Sequence, residues 1–312
     1  MNLKRLSYFL RIAELGSMNR AAEVLHIAQP ALTRQIHLLE KEIGTVLFTR
    51  SGRGMKLTKE GEQLRAEITS PLQQLDSAFK GARMPSGKVG GSVTLGMPAS
   101  VRYVLAQSLI NRVAKTEPSI KVRIVEGQVD HLIEWLIAGK IDMALLYGPS
   151  PDERVTDRGM VVEDLMLVGS KESALTPNKP VNFKNLAKVP LILTSSRHGI
   201  VPTLEKNSYI TKTKINITQH VDSFELIKQL VISGAGYTIL PYSAFMREHE
   251  AGLLSYAKIQ NPVLTRQIVT AATQQCRVPG LVSRLDVLIQ QEISSLAANG
   301  RWPGKLLINP DG

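Results

Sequence analysis

A run of chain breakers, Pro85-Ser86-Gly87-Lys88-Val89-Gly90-Gly91, splits this sequence into two parts with different hydrophobic rhythms. Ahead of it the apolar residues recur at helical spacing, apart from two very short strand-like runs. Behind it, β-branched runs alternate with helical stretches. The runs Val93–Leu95, Lys121–Val125, Ile141–Leu146, Leu165–Val168 and Leu191–Thr194 read as strands, and Val101–Lys115, Asp130–Ala138 and Ser223–Ser233 as helices. That alternation predicts an α/β domain with a largely parallel sheet. With 312 residues the chain also exceeds one ordinary core. The expected division is 1–58, 59–90 and 91–312.

Several classes drop out early. No 18-residue stretch is apolar throughout, and the uncharged candidate from Gln229 to Met246 carries Ser, Thr, two Gly and Pro, which excludes a membrane-spanning helix. The first fifteen residues, MNLKRLSYFLRIAEL, interrupt their apolar positions with Lys4, Arg5, Arg11 and Glu14, unlike a signal peptide. Cys276 is the one cysteine, so neither a disulfide framework nor a cysteine metal cluster is expected. A cytoplasmic protein is the expectation. Its formal net charge is +11, unevenly spread. Residues 1–90 hold 14 basic and 8 acidic side chains, whereas the remaining 222 hold 24 and 19. Positive charge concentrated at the front suits a polyanion, although basic proteins also carry charge for solubility alone.

The front segment has a specific grammar. Ser17 is an N-cap for Met18-Asn19-Arg20-Ala21-Ala22-Glu23-Val24, His26-Ile27-Ala28 is a turn, and Gln29-Pro30 opens the next helix. At 100° per residue Leu32, Ile36, Leu39 and Ile43 share one face of that helix, and Pro30, Thr33, Arg34 and His37 the other. The apolar face needs Leu25, Ile27 and the first helix (Leu6, Phe9, Leu10, Ala13) as partners, and Ala21 and Ala22 let two helices cross closely. A helix-turn-helix is predicted. Two short strands, Val46–Phe48 and Met55–Leu57, flank Arg50-Ser51-Gly52-Arg53-Gly54, a basic wing suited to phosphates or a minor groove.

The stretch GSMNRAAEVLHIAQPALTRQIHLLEKEIGTVLFTRSGRGMKLTKEG resembles the winged helix-turn-helix of LysR-type transcriptional regulators nearly throughout, and the likeness is strong over residues 2–65. SVTLGMP, GKIDMALLYG and GAGYTILP extend it more loosely into that family's effector domain. The resemblance implies that Gln29, Pro30, Thr33 and Arg34 face a major groove and that Arg53 serves the wing. Met18, Asn19, Arg20, His37 and Arg50 complete the candidate DNA-contacting set. Arg34 could read guanine bidentately or hold a phosphate. Position 28 is Ala where the family usually has Ser, so the second helix lacks a cap worth about 1 kcal/mol.

From Thr58 to about Ala82 one long helix is expected. Leu64, Ile68, Leu72, Leu75 and Phe79 form a narrow apolar stripe, read as a pairing surface because little core should lie near it. Pro71 should bend the helix. The resemblance implies antiparallel pairing of such helices, dimers or tetramers, a partly palindromic operator, and RNA polymerase as a further partner.

In the back segment, the junction Met97-Pro98-Ala99-Ser100 leads a strand into a helix with Ser100 as expected N-cap. Asp222-Ser223-Phe224-Glu225 reads as a capping box, making Asp222 structural. Leu193-Thr194-Ser195-Ser196-Arg197-His198-Gly199 is a polar loop after an apolar strand. The resemblance implies a two-lobed fold like periplasmic binding proteins, with lobe I at about 91–162 and 267–300 and lobe II at about 163–266. It puts the effector between the lobes, at Pro98, Ser100, Thr194, Ser195 and Arg197. Such groups suit a small carboxylate or sulfonate. GMPASV and LILTSSRHG look most like the branch containing nitrogen-assimilation-control regulators.

Catalytic readings lack their motifs: there is no GxSxG, HExxH, GKS or GKT, and the six His are scattered. No cofactor or metal is expected. Two competitors to a ligand-gated regulator remain. One is an effector-independent architectural regulator with a vestigial cleft, and the other a solute-binding or catalytic domain with an incidental DNA module. Ligand binding by residues 91–312 alone separates the architectural regulator from the other two.

Overall fold

The computed structural model describes residues 2–51, 54–82, 90–195 and 199–308. The chain falls into two compact units, Met1–Gly87 with Gln275–Val278, and Lys88–Gln274 with Pro279–Gly312.

In the first unit three helices follow closely, α1 (Leu3–Leu15), α2 (Met18–Val24) and α3 (Gln29–Ile43). Asn2 and Ser17 cap the first two by accepting the N–H groups of Lys4 and Arg20. Gly16 and Gly44 close α1 and α3 in the left-handed conformation. The expected turn is present, with His26 at φ +52°. Leu6, Phe9 and Ile12, the small Ala21 and Ala22, Leu32, Ile36 and Leu39, and then Leu47 and Phe48 form one core. Ile43 does not join it: as the last residue of α3 it lies past the core and is exposed.

The wing is an antiparallel pair, β1 (Phe48–Ser51) and β2 (Gly54–Leu57). It starts later than the sequence suggests, because Leu47 is buried in the core instead, while Val46 is exposed. The Leu47 N–H donates to Glu40 Oε1 (2.9 Å), and its carbonyl accepts the Thr58 N–H (3.0 Å). At the wing's base the Met55 N–H donates to the Gly16 carbonyl at 2.8 Å. A Cβ on Gly54, at φ +132°, would lie 2.3 Å from that same oxygen, so glycine is required there.

Helix α4 (Lys59–Ala82) is opened by Thr58, whose Oγ1 accepts the Gly61 N–H at 3.0 Å, and continues through Pro71. Its apolar stripe is not free along its whole length, contrary to the expectation from spacing. Leu64, Ile68 and Leu72 pack against the core of the winged-helix unit, so the first half of the stripe covers the chain's own apolar surface. Leu75, one turn further on, is 41% exposed. The side chain of Phe79 lies outside the described residues.

The second unit begins with β3 (Gly91–Met97), α5 (Ala99–Thr116), β4 (Ile120–Glu126), α6 (Val129–Ile137) and β5 (Met143–Tyr147). Here β3 pairs in parallel with both β4 and β5, as crossover helices require. A 16-residue strand, β6 (Val155–Ser170), then carries the chain into the second lobe. That lobe comprises β7 (Val181–Asn182), β8 (Leu191–Leu193), α7 (Ile200–Thr211), β9 (Ile217–His220), α8 (Phe224–Ile232), β10 (Thr238–Pro241), α9 (Met246–Glu250) and β11 (Leu254–Gln260). The chain returns along β12 (Thr265–Thr273) and ends with α10 (Pro279–Ala298) and β13 (Lys305–Leu306).

The sheet is mixed rather than largely parallel. Strand β6 pairs antiparallel with β12, because an outward and a returning crossover must run in opposite directions, and also pairs antiparallel with β10, β11 and β13. The expected strand Leu165–Val168 is only a fraction of β6. Its alternation feeds two cores, with Leu165 and Leu167 on one side and Met166 and Val168 on the other. The tail docks: β13 pairs with Val161 and Val162, and Trp302 is fully buried. No helix among the described residues is long and apolar enough to cross a membrane.

Candidate nucleic-acid interface and interlobe cleft

Helix α3 turns Leu32, Ile36 and Leu39 inward, which fixes what it presents outward. Gln29, Pro30, Arg34 and His37 are exposed, Thr33 is half-buried, and from α2 Asn19 and Arg20 are exposed beside them. Met18 instead packs partly against the core. Gln29 Nε2 donates to Thr33 Oγ1 (3.0 Å), and that hydroxyl donates to the Gln29 carbonyl (3.0 Å), which steadies the first turn. The His37 side chain is 76% exposed, with Nδ1 3.3 Å from Glu40 Oε2. Arg5, Arg11 and Arg65 each pair with a carboxylate: Glu42, Glu14 and Glu62. Among the described residues Arg20 and Arg34 have no such partner, so their charge is available to an external anion. The side chains of Arg50 and Arg53 lie outside the described residues.

Ala28 occupies the N-cap of α3 in an extended conformation and supplies no side-chain bond. Gln29, engaged with Thr33, does not stand in for it. Ala28→Ser is therefore expected to stabilise the first unit by about 1 kcal/mol, read as a higher urea midpoint with an unchanged slope.

The second unit holds a cleft of about 380 Å³ between its lobes. Four helices begin at its wall, α5 and α6 from the first lobe and α7 and α8 from the second; their N-cap residues Pro98, Gln128, Gly199 and Ser223 all line it. Helices α5, α6 and α7 have no side-chain cap, although Asp130 places a carboxylate in the first turn of α6, so the positive ends of α5 and α7 face the cleft without an acidic residue in their first turns.

Pro98, Ser100 and Thr194 line this cleft, but two local roles differ from the sequence reading. Pro98, not Ser100, is the N-cap of α5. The Ser100 hydroxyl lies in the helix's first turn, 2.7 Å from Tyr147 OH, and accepts a bond from Arg266 Nη2 at 2.9 Å. Nor is Asp222 part of a capping box, since Ser223 caps α8 by accepting the Leu226 N–H. Asp222 accepts both the N–H (2.8 Å) and the Oγ–H (2.6 Å) of Ser195. Ser195 is thus committed to Asp222 rather than set in the cleft wall. Those two bonds hold the Asp222 carboxyl below the usual carboxylate value, so the tie loosens only as pH falls past that lowered pKa. Arg197 lies outside the described residues.

Sequence reasoning did not single out Tyr147 and Arg266 as ligand-facing groups. Arg266 joins β12 to the cleft floor: Nε donates to Glu163 Oε1 (2.6 Å) and the guanidinium lies 4.4 Å from the Tyr147 ring centre. Glu163 is 1% exposed and also accepts Ser243 Oγ (3.0 Å) and Trp302 Nε1 (2.9 Å). Burial works against the Arg266 charge, but Glu163 and Tyr147 outweigh it and raise the pKa above the ordinary guanidinium value. Arg102 and Glu126 pair at the cleft wall. Among the described residues no cluster of three or more His, Cys, Asp or Glu could hold a metal ion.

Comparison with known proteins matches both units. A family model described as a bacterial regulatory helix-turn-helix protein of the lysR family matches residues 3–62, and one described as LysR substrate binding domain matches residues 86–290. The nitrogen assimilation regulatory protein nac of Klebsiella aerogenes is 31% identical over 245 residues, covering 78% of this chain and 79% of the relative. The HTH-type transcriptional regulator BbuR of Bordetella bronchiseptica is 28% identical over 299 residues, covering 96% and 92%. Full-length OxyR from Pseudomonas aeruginosa, solved as a cysteine-to-aspartate variant, shares the fold, with a TM-score of 0.71, 24% identity and coverage of 93% and 98%. A helix-turn-helix with exposed arginines on its outer face, followed by a two-lobed domain with a cleft, thus matches one family along nearly its whole length: this chain belongs to the LysR family of transcription regulators.

Proposed function

We propose that the chain is a cytoplasmic, ligand-gated operator-binding regulator rather than a catalyst. Residues 1–58 meet DNA, residues 59–90 carry the linker helix through which two chains pair, and residues 91–312 sense a small anion. The observation that carries the sensing role is the convergence of four helix N-termini on one cleft, three of them without side-chain caps. Carboxylate and sulfonate oxygens match free amides and a guanidinium better than any apolar ligand would. A bound anion acts only through better contacts with one lobe arrangement than with another.

For the pairing surface we propose the end of the α4 stripe that begins at the exposed Leu75, with Phe79 the next residue of the sequence pattern, since Leu64, Ile68 and Leu72 are already engaged. A dimer sets two recognition helices one DNA turn or a multiple apart, so a partly palindromic operator follows, and a tetramer would span two such sites. Bound at a promoter, the chain would work beside RNA polymerase.

Footprinting on genomic sites, with and without small carboxylates and sulfonates, tests the reading; the expected result is a ligand-dependent change in the protected region or bend. An unchanged footprint would favour the effector-independent architectural regulator with a vestigial cleft. At the cleft itself, Ser100→Leu and Thr194→Trp are each expected to abolish any anion-induced rise in melting temperature. If the rise survives both, the ligand sits elsewhere.

A further inference from the structure

Away from the crossover strands β6 and β12, the two lobes also meet through side chains. Tyr103 belongs to α5 in the first lobe, and its OH donates to Glu248 Oε2 on α9 of the second at 3.0 Å. Lys228 of α8 lies against the same ring, with Nζ 4.1 Å from its centre, and the Arg247 guanidinium is 4.9 Å from it. The Phe224 ring meets the Tyr103 ring edge-on at 6.0 Å. Burial, and then the bond to Glu248, raise the Tyr103 phenol above its ordinary pKa, which keeps it a donor.

Lys228 is a buried cation outside the hinge, its side chain 3% exposed. The second lobe supplies its ionic partners: Nζ donates to Glu248 Oε1 at 2.6 Å and lies 3.4 Å from Glu225. The Phe224 ring centre, also in that lobe, is 4.8 Å away. That division matters. If the lobes part, Lys228 keeps its carboxylates and gains water, so separation leaves no buried charge unpaired. Parting Arg266 from Glu163 would instead strand a carboxylate that is 1% exposed. The hinge end is thus built to stay paired, and the Tyr103 end to open.

We propose that Tyr103 is a latch between the lobes: its hydroxyl on Glu248 and its ring on Lys228 hold the arrangement seen here, and their release lets the lobes move apart. Phe224 couples the latch to the cleft, since it lines the cleft and touches Tyr103 at once, and Arg102, the chain neighbour of Tyr103, lines the cleft too. A ligand that prefers parted lobes must outweigh the latch, and one that prefers closed lobes is helped by it. Tyr103 therefore sets the sensitivity of the response whatever the ligand's chemistry, and the inference stands apart from anion sensing.

The test is pulsed dipolar spectroscopy on the full chain, with spin labels on Lys140→Cys and Lys206→Cys in a Cys276→Ser background and labelled chains diluted in unlabelled ones. Both lysines are exposed; Lys140 follows α6 and Lys206 lies on α7, helices that start at the cleft from opposite lobes, so parting lengthens their separation. The parent should give one narrow distance distribution. Tyr103→Phe keeps the ring and loses the hydroxyl, and should broaden the distribution toward longer distances. Tyr103→Leu loses both contacts and should shift the mean further. A purely structural role for Tyr103 would lower the urea midpoint and leave the distances alone, and unchanged distances in the variants overturn the latch. A parent distribution that is already broad overturns it too, because lobes that range so widely are not held. Tyr103→Phe removes a single heavy atom, so it keeps the test decisive even if Tyr103→Leu does not fold.

Discussion

Arg266→Met is expected to destabilise the second unit by about 3–5 kcal/mol at neutral pH, several times the effect of restoring the missing cap at Ala28. The reason is Glu163, not the lost arginine contacts. Met roughly fills the vacated volume, but it leaves a carboxylate that is 1% exposed without its cation. Ser243 and Trp302 still donate to it, which is not enough to offset the loss of a full counter-charge. Urea titrations of both proteins at pH 7 check this, with the variant's midpoint well below that of the parent. The double variant Glu163→Met with Arg266→Met separates charge from packing. It should recover much of the loss, less about 1–3 kcal/mol for the Trp302 and Ser243 donors left without an acceptor. A double variant no more stable than Arg266→Met alone would mean that Glu163 is not the source of the penalty.

This network was the least legible part of the sequence, and its geometry explains why. Glu163 and Arg266 lie 103 residues apart and meet because two crossover strands run antiparallel, which puts them directly opposite each other. Trp302 reaches the same carboxylate from 139 residues along the chain. Hydrophobic periodicity cannot register pairings at that range, and the tail after Asn299 gave no local hint that it docks. Short-range signals behaved differently. Ser17 as a cap, Pro30 in a first turn, the Leu32–Ile36–Leu39 face and the strands at Val93 and Lys121 all follow from local spacing, and all stand in the structure. Errors arose where a local rule had two solutions. Ser223 outcompeted Asp222 for the α8 cap because Asp222 had a second partner in Ser195. Leu64, Ile68 and Leu72 looked free for a partner helix because an apolar stripe does not reveal which surface covers it.

Arg34→Ala is expected to weaken binding of the chain to its own operator by about 1–3 kcal/mol, roughly 5- to 150-fold, and the salt response decides how Arg34 works. The guanidinium is exposed on the outer face of α3, with no carboxylate partner among the described residues, so its removal disturbs nothing inside the unit. Any loss then reports on DNA. Binding of the parent should fall steeply with salt, since each neutralised phosphate contributes a slope of about −0.9 in log K against log salt. If Arg34 holds a phosphate, the variant loses about one unit of that slope and weakens on every sequence alike. If it reads a guanine, the slope changes little while discrimination collapses at one base-pair step. Fluorescence anisotropy on the operator and on point-substituted versions, over about 50–200 mM salt, distinguishes the two. Either outcome places Arg34 on the duplex. An unchanged isotherm on all sequences at all salt concentrations would instead take the exposed face of α3 off the DNA, and with it the orientation of the helix-turn-helix on which the operator-binding proposal stands.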